Sequence, residues 1–162
     1  MSRTRGREHA AVAREVFVDT SAWYPIAIRG HADHEPLSQA LTARVRAGER
    51  LVTTNLVIAE THALLTIRAG PAPALAFLRH ATTAPTEVVT STPELELEAQ
   101  TAWLARFTDQ GFSLTDAVSF AVMTQRRIRD ALTLDHHFAI AGFGVVPAAR
   151  DPVAEKRPRR RR

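Results

Sequence analysis

Short apolar runs separated by longer amphipathic stretches set the pattern of this chain. Val16-Phe17-Val18 is a continuous apolar run, entered from Glu15 and stopped by Asp19. A run this short, with no helical period, predicts a buried strand. Thr20-Ser21-Ala22-Trp23-Tyr24-Pro25 then places hydroxyl residues ahead of apolar ones, the usual opening of a helix. Gly30 to Pro36 is polar and reads as a loop. Leu37, Leu41 and Val45 recur at helical spacing, and Gly48 is suited to end that helix. Arg50-Leu51-Val52-Thr53-Thr54 predicts a second strand. Asn55 can cap the next helix, whose apolar positions include Leu56, Ala59, Ala63 and Ile67 and which Gly70-Pro71 breaks. Pro73 to His80 predicts a short helix with Pro at its start. Glu87-Val88-Val89 is a weaker strand, and Pro93 to Phe107 is helical by pattern. Ser113 opens a further helix carrying Ala117, Phe120, Ala121 and Met123. Ala131-Leu132-Thr133-Leu134 predicts a strand ending at Asp135, and Phe143 to Val146 a last one before Pro147.

Strands therefore alternate with helices, and most strands are apolar runs rather than alternating ones. Both features favour a short, mostly parallel sheet covered by helices on both faces, an α/β/α sandwich. No internal repeat is visible. The length of 162 residues suits one domain with a sizeable core, and 45% hydrophobic with 23% charged residues is ordinary globular usage. There is no cysteine, which removes thiol-nucleophile, zinc-finger and disulfide-scaffold classes and suits a reducing compartment, so a cytoplasmic location is expected. No apolar run is long enough for a membrane span. Met1 to Arg14 is basic and lacks an apolar segment, so no secretory signal is expected.

Charge divides the chain in three. Residues 1–14 carry +3 and residues 148–162 carry +5, leaving −4 for residues 15–147 of a chain whose net charge is +4. The body is mildly acidic and the ends are basic extensions. The Lys156-Arg157-Pro158-Arg159-Arg160-Arg161-Arg162 tail has too little apolar surface to fold alone. Such an arm either seeks nucleic-acid phosphates or is simply solvated, and the sequence leaves both readings open.

Four acids stand where a parallel sheet would expose them. Asp19 and Asp135 follow strands, and ligands of open α/β sheets bind outside the carboxyl ends of the strands. Asp116 lies at the start of a helix facing the same edge, and Glu60 sits about a turn and a half into the helix after Asn55. Carboxylates gathered in one pocket raise each other's pKa unless a cation compensates them. Mg²⁺, or Mn²⁺, binds such oxygens together with substrate phosphate and can activate water. Each acid alone also has an ordinary reading: Ser113-x-x-Asp116 fits a helix cap, and an Asp after a strand can make a turn. The coincidence of four at one edge favours the metal.

These residues carry a resemblance. Val16-Phe17-Val18-Asp19-Thr20-Ser21-Ala22 resembles the opening of a PIN domain, most closely the VapC-type toxins of bacterial toxin–antitoxin pairs. The blocks Thr54 to Glu60, Ser113 to Ala117 and Leu132 to Phe138 follow in the same order, so the resemblance spans roughly residues 15–147. It implies a PIN-like α/β/α fold and a Mg²⁺-dependent endoribonuclease hydrolysing RNA phosphodiester bonds. It implies Asp19, Glu60, Asp116 and Asp135 as the acidic set, with Asp19 and Asp116 the principal metal ligands. Ser21 matches the small hydroxyl residue that supports the metal site. A cognate antitoxin protein and a homodimer are the implied partners. The basic extensions, 1–14 and 148–162, lie outside the family pattern.

Other residues invite weaker readings. His31-Ala32-Asp33-His34-Glu35 looks like a metal cluster, but no second His-rich segment completes it, and it reads as a solvated loop. His136 and His137 adjoin Asp135 and either touch RNA or are surface residues. Trp23 and Tyr24 either stack on a base or pack internally. Arg126, Arg127 and Arg129 suit the negative end of a helix dipole, with an RNA-backbone role as the alternative. His62 points to a different helix face from Glu60. Two competing functions are a receiver-like Mg²⁺-binding regulatory domain and a non-catalytic RNA-binding module. The first needs a Lys near the pocket, and the only Lys is Lys156 in the tail; the second does not explain the full acidic set.

Overall fold

The computed structural model describes residues 13–147. The two basic extensions therefore fall outside the described residues, apart from Ala13 and Arg14. Val16, Phe17 and Val18 are fully buried in the first strand, β1 (Glu15–Val18), which explains its unbroken apolar character. After β1 come α1 (Thr20–Ala27), α2 (His34–Arg46), β2 (Arg50–Thr54), α3 (Asn55–Ala69), α4 (Pro71–Ala81) and β3 (Thr86–Val89). Then follow α5 (Pro93–Glu98), which continues as a wider π-type turn over Ala99–Leu104, and α6 (Leu114–Arg126), β4 (Asp130–Leu132), α7 (His137–Ile140) and β5 (Gly144–Val146).

All strand pairs are parallel, in the order β3-β2-β1-β4-β5. From β1 the chain steps outward to β2 and β3, then crosses back to β4 and β5. Parallel crossovers are right-handed, so this reversal places α1–α4 on one face and α5–α7 on the other. The packing agrees: α1 meets α2 and α3, α3 meets α4, and α6 meets both α5 and α7. The expected sandwich is present, with a sheet that is wholly parallel. The reversal of direction lies between β1 and β4, and it opens a crevice at their carboxyl ends.

Helix α6 anchors its layer because Ala117 to Met123 are all buried. Phe120 lies at the centre of an aromatic cluster, with ring centroids 5.0 Å from Phe138, 5.1 Å from Phe112 and 5.1 Å from Trp103. On the other face Trp23 packs edge-on against Phe77 at 5.9 Å, so Trp23 belongs to the core.

Element boundaries differ from the sequence pattern in instructive places. Helices α2 and α4 begin at His34 and Pro71, ahead of the expected Leu37 and Pro73. Pro36 and Pro73 are tolerated there because first-turn N–H groups have no intrahelical partner to lose. Strand β4 ends at Leu132 rather than Leu134. Thr133 leaves the strand because its hydroxyl accepts a hydrogen bond from the Asp135 N–H at 2.9 Å, closing a local turn. The short helix α7 lacks any strong periodic signal of its own.

Candidate active site

The crevice between β1 and β4 is built from chain ends. Asp19 leaves β1 and donates its backbone N–H to the Leu132 carbonyl of β4 at 3.1 Å, which fixes it against the neighbouring strand. It also caps α1, its Oδ2 accepting from the Ser21 N–H at 3.0 Å. The Ser21 hydroxyl donates to the same oxygen at 2.7 Å, and the Thr133 hydroxyl at 3.1 Å. Ser21 Oγ in turn accepts from the Leu134 N–H at 2.8 Å. Ser21 and Thr133 thus hold one carboxylate edge of Asp19 in a fixed plane. These three contacts all use Oδ2.

Asp116 is the third residue of α6. Its Oδ2 accepts from the Ser113 N–H at 2.8 Å while the Ser113 hydroxyl accepts from the Asp116 N–H at 3.0 Å, a reciprocal cap. The capping reading and the site reading therefore hold together: the cap orients the carboxylate that the site presents. Asp135 stands in the turn after β4, with Oδ1 accepting from the His137 N–H at 2.9 Å. Glu60 approaches from α3, which Thr54 caps by accepting from the Val57 N–H.

The electrostatics show these groups converging. Burial pushes the Asp19 carboxyl above the ordinary aspartate range, and the Ser21, Thr20 and Thr133 hydrogen bonds only partly oppose it. Glu60 as a whole residue is exposed, but protein crowds its carboxyl end, and that loss of solvation is the first cause raising its pKa. The neighbouring Thr115 side chain works against the rise, while the negative charges of Asp19, Asp116 and Asp135 add to it. Among the described residues no Arg or Lys pairs with any of the four. Glu60 thus lies within electrostatic reach of Asp19, Asp116 and Asp135, and Ser21 supports Asp19 from behind.

An all-oxygen set carrying this much uncompensated charge fits a hard divalent cation. Asp19 and Asp116, each held by its own hydrogen bonds, are residues that could hold such an ion. The sequence reading missed Thr133, whose hydroxyl spans from Asp135 to Asp19. A hydroxyl residue two before an acid, just past a strand, was the available signal.

Most of the other candidates are engaged away from the site. His31 and His34 are spent locally: His31 Nδ1 accepts from the Asp33 N–H at 3.1 Å, and His34 Nδ1 lies 3.0 Å from the Pro25 carbonyl. Tyr24 is half-buried against the His31 ring at 5.7 Å. Arg126 points to the opposite end of the sheet, where it clamps Glu15 and Glu87. Arg127, at φ 58°, ends α6 in the left-handed region and is exposed. His137 does lie at the site, its Nδ1 3.3 Å from Asp135 Oδ1 and 3.7 Å from Asp116 Oδ2.

Known proteins are similar to this chain in sequence and fold. The chain is 36% identical over 130 residues to the 23S rRNA-specific endonuclease VapC20 of Mycobacterium tuberculosis, a match covering 79% of this chain and 95% of the relative. The crystal structure of that protein, described as a sarcin–ricin loop cleaving toxin, superposes with a TM-score of 0.72 at 33% identity, over 79% of this chain and 95% of the other. VapBC2 from Rickettsia felis, solved bound to a DNA fragment from its promoter, has a TM-score of 0.63 at 8% identity, over 81% and 96% of the two chains, and supports the fold alone. The family model for the PIN domain matches residues 16–144, and with a relative this similar over most of its length, the chain belongs to the PIN domain family.

Proposed function

We propose that this chain is a Mg²⁺-dependent endoribonuclease that hydrolyses RNA phosphodiester bonds, and the toxin of a toxin–antitoxin pair. The observation that supports the proposal is that Glu60 feels the charges of Asp19, Asp116 and Asp135, with no Arg or Lys paired to any of the four among the described residues. In this reading residues 15–147 form the nuclease domain, and the basic extensions are additions to it. Asp19 and Asp116 hold Mg²⁺, with Mn²⁺ as a substitute, and Glu60 and Asp135 complete the pocket. The ion, when bound, polarises a phosphate oxygen and lowers the pKa of a coordinated water.

The chain's own groups do the rest. Ser21 and Thr133 keep Asp19 from rotating. Ser113 fixes Asp116 through the cap. Glu60, whose carboxyl has a raised affinity for protons, is suited to accept one from the attacking water. The similarity to an enzyme named for 23S rRNA makes that RNA the first substrate to test. Antitoxin complexes among VapC-type proteins extend the proposal to a cognate antitoxin that masks the site, with a homodimer as the assembled toxin.

The test is cleavage of ribosomal RNA by the purified chain with Mg²⁺, with EDTA, and with Asp19→Asn. Cleavage that needs Mg²⁺ and is lost in both other conditions supports the proposal. Full activity in EDTA removes it.

A further inference from the structure

Beside the carboxylates lies a set of different chemistry. Asp135, His136 and His137 each offer one ligand atom, and these atoms lie within 4.8 Å of one another. The three are consecutive and lead into α7, with the His137 N–H donating to Asp135 Oδ1. The two imidazole rings lie 4.4 Å apart, tilted 40° to each other, and His137 packs edge-on against Phe112 at 5.3 Å. His136 Nδ1 stands 3.5 Å from Asp135 Oδ1. His137 Nδ1 stands 3.3 Å from the same oxygen, yet it is buried and makes no hydrogen bond. A buried imidazole nitrogen without a partner is costly unless something else satisfies it. Here it is turned toward two carboxylates, Asp135 and Asp116, at distances that ligands of one metal ion keep from each other.

We propose that Asp135, His136 and His137 form a second cation site, of mixed nitrogen and oxygen character, for a borderline divalent ion such as Zn²⁺ or Co²⁺. Imidazole suits these ions, whereas Mg²⁺ prefers oxygen ligands. His137 Nδ1 and Asp135 Oδ1 supply the buried side of the site. His136, 77% exposed, supplies the ligand that closes it from solvent. Asp116 is positioned as a further ligand or as a hydrogen-bond partner of bound water. The site shares Asp135 and Asp116 with the acidic set of the proposed function; its two imidazoles belong to it alone, and their substitution tests it separately.

Co²⁺ titration of the untagged full-length chain, followed by visible absorption and by calorimetry, tests the proposal. The variants are Asp19→Asn, His136→Ala and the pair His136→Ala with His137→Phe, the phenyl ring keeping the packing on Phe112. The expected result is that wild type and Asp19→Asn bind Co²⁺ alike, with the same visible bands. The paired variant should lose the bands and weaken binding by roughly tenfold or more. If the paired variant does not fold by circular dichroism, His136→Ala alone is read, and it should weaken binding several-fold. Affinity unchanged by the histidine substitutions, or Asp19→Asn losing Co²⁺ as completely as the pair, overturns the site. A nuclease inactive with Mg²⁺ but binding Co²⁺ through the histidines would sink the proposed function and leave this site standing.

Discussion

The two ends of the sheet hold similar numbers of acids and treat them in opposite ways. At the amino-terminal edge Glu15, Glu49, Glu87 and Asp130 face Arg44, Arg50 and Arg126. Arg126 grips both Glu15 and Glu87 with paired hydrogen bonds of 2.6–2.9 Å. Those hydrogen bonds hold the Glu15 and Glu87 carboxyls below their ordinary range and Arg126 above its own. At the carboxyl edge Asp19 and Glu60 shift the other way, first because burial strips their solvent. Identical functional groups therefore report their role through their partners. Paired carboxylates stitch strands and helices together. Those without an arginine, held on caps and turns, are the ones the proposed function assigns to a cation.

Substitutions at the two edges should separate these roles. Asp19→Asn is expected to lower RNA cleavage by roughly 100-fold or more, since it removes a principal ligand of an ion that contributes several kcal/mol to the transition state. Its thermal midpoint without metal should not fall, because a carboxylate held at a cost is gone; a fall matching Arg126→Met would put Asp19 among the structural acids. Arg126→Met should instead destabilise by roughly 1–3 kcal/mol in urea melts, discounted for partial exposure. Cleavage per folded molecule should be unchanged.

Thr133→Val and Ser21→Ala should act between these extremes. Each frees Asp19 to rotate, so the Mg²⁺ concentration needed for half-maximal cleavage should rise by about tenfold, with activity recovering at high Mg²⁺. A loss that Mg²⁺ does not rescue would show that these hydroxyls serve the fold alone.

The smallest effect is in pH. Glu15 and Glu87 bind protons less tightly folded than unfolded, so the stability they contribute is complete above 4.5, their ordinary pKa, and drains as pH falls through the lowered folded values. The gap between wild type and Arg126→Met should narrow there. Asp19 and Glu60 have the reverse sign: their contribution is complete at low pH and is lost as pH rises through the raised folded values. The gain in melting temperature on adding Mg²⁺ should therefore grow from acid to neutral pH. A gain independent of pH would mean that the ion binds elsewhere.

The acids of the candidate site were legible because local structure announces them. Asp19 closes an apolar run, Asp116 sits three residues after a capping Ser113, and Glu60 follows a strand-to-helix junction. Each signal spans a few residues, the range over which caps, turns and apolar periods act. The supports of the site were not legible in this way. The Ser21–Thr133 and Asp19–Thr133 contacts join residues 112 and 114 apart, and Arg126 reaches Glu15 across 111 residues. From the sequence Arg126 is only a cation at a helix end, and its selection of Glu15 and Glu87 follows from the parallel register of β1, β2 and β3.

By itself, then, the sequence determined most of the strands and helices and that the sheet is mainly parallel, and it singled out four carboxylates as candidates for its edge. Tertiary structure decided which carboxylates find an arginine and which do not, and that Thr133 and His137 join the pocket. The reason is range. Propensity and capping energies act between neighbours along the chain, whereas the partner of a charged side chain is fixed only when strand order and register bring distant residues together.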